Sequence, residues 1–189
     1  MRRFARTVAG ASTVVILAGV LASCSNGEEK SVPKLPARLC WDVFATSDMS
    51  PVLPPGDRAE LDTNSSSFWL SKDHDNASCI LYIDGNPKFE ATAYLWGFED
   101  SVDWTSWDPA KPKPLHTGDK GIIWATGAAS YFTCEPAKNP NSPGEYIELR
   151  LFADDAPDKS KVQTVLPPLM KQFVAFAQRE LKCPAHATS

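Results

Sequence analysis

The sequence is poor in the residues that carry most catalytic and metal chemistry. It has three histidines in 189 residues, and no two of its five cysteines stand at Cys-x-x-Cys spacing. Zinc-ribbon and thioredoxin-like readings are therefore weak, and no cofactor is expected. No cluster of Lys or Arg marks a nucleic-acid partner. Gly-x-Ser-x-Gly and Gly-x-x-x-x-Gly-Lys are both missing, which removes the usual signatures of a serine-hydrolase elbow and a phosphate loop. Also missing is an apolar run long enough to span a bilayer: Val8 to Ala22 is about fifteen residues where roughly 20 are needed. What remains is ordinary globular composition, 43% hydrophobic, 10% aromatic and 22% charged, which suits one domain.

The first two dozen residues read as an address. Arg2, Arg3 and Arg6 precede the apolar stretch, which ends in Leu21-Ala22-Ser23-Cys24. This tetrapeptide resembles the bacterial lipobox. The resemblance implies cleavage before Cys24, with diacylglycerol on its sulfur and palmitate-type acyl chains as the membrane anchor. Arg2-Arg3-Phe4 also raises twin-arginine export beside the general secretory route. Three of the 19 Lys and Arg, and none of the 23 Asp and Glu, lie in residues 1–23, so the remaining 166 residues carry a formal charge of −7. An acidic surface disfavours adhesion to anionic lipid. Attachment to the outer face of the cytoplasmic membrane then rests on the acyl chains at Cys24, and several chains anchor where one does not. Residues 24–38 are polar and punctuated by proline, which predicts a flexible tether reaching about 40 Å if extended.

The folded domain is expected over residues 39–184, with a disordered tail at 185–189. Cys40, Cys79, Cys134 and Cys183 are spaced for two disulfides in an exported chain. Three connectivities are possible. Cys40–Cys79 with Cys134–Cys183 is favoured, because each then joins a helix end to a strand end within its own half. Trp41 and Phe44 share a face of a short helix over 41–49. Strands are expected at 67–70, 79–83, 88–96, 121–126, 129–134 and 145–152. The clearest are Lys88 to Trp96 and Glu145 to Phe152, where apolar and polar residues alternate. Residues 97–107 suit one or two helical turns and 108–114 an extended, proline-rich segment. Leu169, Met170, Phe173, Ala177 and Leu181 recur at helical steps, with Pro167-Pro168 in the first turn and a further helical turn before them at 158–166. The fold class is α+β: a mainly antiparallel sheet, a short N-terminal helix, and a C-terminal helix packed on one face.

The lipobox, the Leu39-Cys40 opening, the strand ending Tyr131-Phe132-Thr133-Cys134, the run Tyr146 to Phe152 and the closing Leu181-Lys182-Cys183 together resemble uncharacterised secreted lipoproteins of actinobacteria. That resemblance implies a location and a disulfide framework and carries no catalytic residues. The functional hint lies elsewhere. Trp96, Phe98, Trp104 and Trp107 fall close together among Glu99, Asp100, Asp103 and Asp108. Indoles beside carboxylates suit a cleft for a sugar or a cation, with Trp96, Trp104, Trp107 and Asp103 as the candidate ligand-binding residues. The competing reading is a satellite core under a long loop, since Trp104 and Trp107 three apart would pack together. Asp73-His74-Asp75 offers metal-ligand chemistry, but adjacent residues rarely converge on one ion and a solvated loop tip serves as well. Two functions stay open: a non-enzymatic domain binding an envelope protein, glycan or small ligand, and a hydrolase of envelope polymers.

Overall fold

The computed structural model describes residues 31–184. The signal peptide, Cys24, residues 24–30 of the tether and the 185–189 tail lie outside the described residues. Before the first hairpin the chain already packs on the domain. Gly56 N–H donates to Ser31 O at 3.0 Å, Thr46 N–H donates to Ala37 O at 3.0 Å, and Val32 and Leu35 lie against the core. Residues 31–38, expected as tether, belong to the folded body.

A two-residue strand β1 (Arg38–Leu39) pairs with β2 (Phe44–Ala45), followed by α1 (Thr46–Met49). The expected helix over 41–49 is reduced to its last four residues. Cys40, Trp41 and Asp42 have φ of 52°, 57° and 62°, a left-handed turn closed by Val43 N–H on Cys40 O at 3.0 Å. Each such residue costs roughly 1–2 kcal/mol. The turn is held by the Cys40–Cys79 bond, by the Arg38 guanidinium donating to the carbonyls of Asp42 (2.7 Å) and Val43 (3.0 Å), and by the Trp41 indole donating to Ser65 O.

The main sheet contains β3 (Ala59–Thr63), β4 (Asn76–Ile83), β5 (Asn86–Trp96), β6 (Lys113–Pro114), β7 (Lys120–Trp124), β8 (Gly127–Glu135) and β9 (Glu145–Phe152). Its seven strands run in the order β3-β4-β5-β9-β8-β7-β6, every neighbour antiparallel. The β4–β5 hairpin turns through Asp84-Gly85, whose φ of 51° and 77° are those of a two-residue type I′ loop. Residues 67–70 are not a strand; the edge strand is β3. The stretch 97–107 holds short 3-10 turns at Glu99–Ser101 and Thr105–Ala110. Asp108-Pro109-Ala110 therefore belongs to a turn, and only Lys113–Pro114 of the expected extended segment pairs.

The second helix, α2 (Lys159–Glu180), starts before the prolines rather than at them. Asp158 caps it, and the Ser160 hydroxyl at 2.6 Å together with Ser160 N–H at 2.8 Å, both donating to it, holds its carboxyl below the usual range. Val162, Leu166, Leu169, Met170 and Phe173 stay on one buried stripe straight through Pro167-Pro168. Proline removes the donors for the carbonyls of Gln163 and Thr164, and Thr164 is exposed to water, which can serve in their place. At the other end Lys182 (φ 57°) reverses the chain, with Cys183 N–H on Gln178 O at 2.9 Å and Lys182 N–H on Arg179 O at 3.2 Å, a Schellman closure. That closure brings Cys183 to Cys134. Both expected disulfides, Cys40–Cys79 and Cys134–Cys183, are present.

Helix α2 covers the inner face of β7, β8 and β9, and Phe44 meets Phe89 of β5 at 5.5 Å. The inner residues Leu81, Phe89, Ala91, Ala93, Phe132, Leu149 and Leu151 are essentially fully buried. This places α on one face of the sheet, as expected, and leaves the other face to be filled by something else.

Candidate functional site: the aromatic outer face

Side chains alternate along a strand, so the residues between the inner ones form the outer face. On β5 these include Glu90, Thr92, Tyr94 and Trp96, and on β9 Tyr146, Glu148, Arg150 and Phe152. Glu148 sits at the centre and is completely shielded from solvent. Arg150 grips it bidentately at 2.8 and 2.9 Å, the Trp104 indole donates to it at 2.6 Å, and the Trp96 indole donates at 2.9 Å. A buried charge persists only with such partners. The segment 97–112 is thereby fastened to the sheet through its own Trp104.

The guanidinium of Arg150 lies over Tyr94 at 4.6 Å and over Trp107 at 5.1 Å. Trp107 stacks on Trp124 at 4.6 Å, and Tyr94 on Trp96 at 6.1 Å. Trp124, Trp107, Arg150, Tyr94 and Trp96 thus form one ladder of planar groups across three strands and the loop, each contact favourable by quadrupole or cation–π attraction. Gly127 makes room for it: a Cβ there would stand 2.4 Å from a Trp124 ring carbon. Tyr131, edge-on to Trp104, donates its hydroxyl to Glu99, and burial, ahead of that bond, pushes its phenol up to about 12.

These contacts correct the placement of the expected ligand residues. Trp104 is buried, with Trp124 and Ala129, in a small second core, against which Trp107 packs half-buried. Trp96 is half-buried with its N–H spent on Glu148. Asp103 is exposed, and its carboxylate accepts from Thr105 N–H at 2.9 Å, which lowers its pKa and makes it the cap of a local turn. Trp104 and Trp107 bind the loop to the sheet, and Trp96 of β5 ties its own strand to Glu148 of β9. Two outer-face groups are less completely used. Thr92 is buried with its Oγ1 lacking a hydrogen-bond partner among the described residues, and Glu90 has its carboxyl raised by burial and then by Asp154, against the pull of Arg150.

Sequence reasoning missed the Glu148–Arg150 pair. Its signal was available as two opposite charges two apart on the polar side of a buried strand. It also missed Trp69, which is 46% exposed; Phe98, named with the aromatic segment though not among the candidate ligand residues, is 45% exposed. The Asp73-His74-Asp75 cluster lies on a tight loop where Ser71 bridges to His74, and among the described residues no group of three His, Cys, Asp or Glu could hold a metal ion. Beside this loop a cleft of about 570 Å³ opens between Leu70, Lys72 and Asp75 on one side and Gly97, Gly144 and Glu145 on the other. No described helix is long and apolar enough to cross a membrane. Comparison of the chain with family models, with curated proteins and with solved structures finds no match.

Proposed function

We propose that the chain is a secreted lipoprotein of the actinobacterial kind, anchored through Cys24 to the outer face of the cytoplasmic membrane, whose folded domain binds an envelope ligand or partner without catalysis. The observation that carries the location is Leu21-Ala22-Ser23-Cys24 at the end of an apolar run that follows three arginines. Two disulfides in the domain suit an oxidising compartment. Against catalysis stands the use of Glu148, among the described residues the one fully buried carboxylate, whose two oxygens are taken up by Arg150 and two indoles.

One observation favours a hydrolase of envelope polymers as the second reading: Asp75 and Glu145 line the same cleft. Both are solvent-exposed, whereas a general acid of glycoside chemistry is desolvated. The decisive experiment on anchoring is Cys24→Ala in the full chain. Loss of fatty-acid labelling and release from membranes are expected. A variant that still incorporates label and sediments with membranes refutes the anchor.

A further inference from the structure

Trp69 is exposed yet held rigid. The His74 imidazole stacks against one face of its indole at 4.1 Å and 16°, and Nε1 donates to Ser65 Oγ at 3.2 Å. His74 is itself fixed, exchanging backbone hydrogen bonds with Ser71 at 3.1 and 2.9 Å, while its Nε2 is buried without a hydrogen-bond partner among the described residues. An indole with one face packed, its N–H tied and nearly half its surface in water is a preorganised platform. The ordering entropy that a ligand would otherwise lose on meeting a mobile ring is already spent in folding.

The same loop builds a wall of the 570 Å³ cleft with Leu70, Lys72 and Asp75, directly after Trp69 in the chain. Phe98, the other exposed aromatic, directly follows Gly97 of the opposite wall. The cleft lies within the size range of small-ligand sites. Its polar side chains are the carboxylates of Asp75 and Glu145, the Lys72 ammonium and the Ser71 hydroxyl, a mixture of acceptors and donors with a net negative charge, while Gly144 N–H is already bonded to Gly97 O at 2.8 Å. That set matches uncharged hydroxyls and repels phosphates and other anions. The flat apolar face of a pyranose, with its C–H groups outward, complements the negative face of an indole.

We propose that Trp69 and the adjoining cleft form a binding site for a neutral oligosaccharide, with Trp69 as the stacking platform and Lys72, Asp75 and Glu145 contacting its hydroxyls. The proposal rests on the reading of the domain as a binding module and supplies the class of its ligand.

The test is ligand-observed NMR and calorimetry on the detergent-solubilised full chain with three probes: the β-1,4-linked N-acetylglucosamine tetramer, maltohexaose and cellohexaose. Saturable binding of at least one probe is expected. Trp69→Ala should weaken it at least tenfold, Trp69→Phe should restore most of it, and Glu145→Gln should weaken it several-fold. Because Trp69 is exposed, its variants should melt within a few degrees of the parent, so a loss of binding is not a loss of fold. Binding unaffected by Trp69→Ala, or no binding of any probe, overturns the proposal. Capture of a peptide or anionic glycan instead would overturn this site while sparing the binding-module reading. Cleavage of a probe, abolished by Asp75→Asn or Glu145→Gln, would overturn that reading while leaving the saccharide site supported.

Discussion

Replacing Glu148 by alanine is the sharpest perturbation the fold offers, because one side chain joins a strand, an arginine and two indoles. Its removal leaves the Trp104 N–H buried without an acceptor, at a cost of about 1–3 kcal/mol, while the half-buried Trp96 N–H can turn to water. Arg150, whose side chain is 23% exposed, loses the carboxylate it holds bidentately. Breaking a buried pair from one side costs roughly 3–5 kcal/mol, and partial exposure puts Arg150 at the lower end. These contributions overlap, and a total near 4 kcal/mol corresponds to a fall of about 8–16 °C in melting temperature for a domain of this size. Denaturant unfolding followed by far-ultraviolet circular dichroism measures the loss without relying on tryptophan fluorescence, to which Trp96 and Trp104, perturbed by the mutation itself, contribute. Hydrogen exchange should show the 97–112 amides losing protection before those of β5. The double variant Glu148→Ala/Arg150→Met removes the orphaned charge and should be at least about 2 kcal/mol more stable than the two single losses added together. A single-mutant loss below about 1 kcal/mol, or additivity within about 0.5 kcal/mol, would refute the account of this carboxylate as the fastening point of the loop.

Three further outcomes follow from other parts of the molecule. Non-reducing peptide mapping should recover Cys40 with Cys79 and Cys134 with Cys183, and opening either bond, across separations of 39 and 49 residues, should cost about 4 kcal/mol on the chain-entropy model; an unchanged unfolding midpoint on reduction would contradict it. Asp42→Gly keeps the carbonyl that Arg38 grips and relieves a left-handed residue, so a gain of roughly 0.5–1 kcal/mol is expected in chemical unfolding, with a loss as the contrary result. Glu90, raised above 4.5 by burial, holds its proton more tightly folded than unfolded, so its contribution to stability falls as pH rises from that value through the folded one. Glu90→Gln should therefore stabilise the domain at pH 7 and show no advantage below pH 4.5, and unfolding curves at the two pH values decide it.

The strands Lys88 to Trp96 and Glu145 to Phe152 were legible because each buries one face in the main core and turns the other to the outer face, which writes a period of two into the sequence. Edge strand β3 was not legible. Ala-Glu-Leu-Asp-Thr does alternate, but over only five residues, three of them Ala, Glu and Asp of low β-propensity, and its residues stay exposed or half-buried on both sides. Trp41 and Phe44 imitate a helical step because both reach the same aromatic cluster, Trp41 through Phe173 at 6.4 Å and Phe44 through Phe173 at 5.6 Å. A left-handed turn clamped by a disulfide achieves the same spacing. In the candidate site the aromatic segment was visible but its partners were not, since Trp96 and Trp104 bond to a carboxylate 52 and 44 residues away. The exposure of Trp69 had no local signature at all: an indole in a polar loop reads as a residue that ought to be buried.

The cross-link at Cys40 also determines how the domain answers a pull. Force applied at the N-terminal end first meets residues 31–38, packed on the domain, and is handed, two residues after Arg38, through a covalent bond to Cys79 inside β4. Peeling from that end stops at Cys40, and the chain enclosed by the bond, about 130 Å of contour at ~3.4 Å per residue across a separation of 39, is withheld from extension. The load falls instead on β4 between β3 and β5, where rows of hydrogen bonds must shear together rather than unzip singly. A domain built this way stays stiff under tension, lengthening little until the sheet itself gives way.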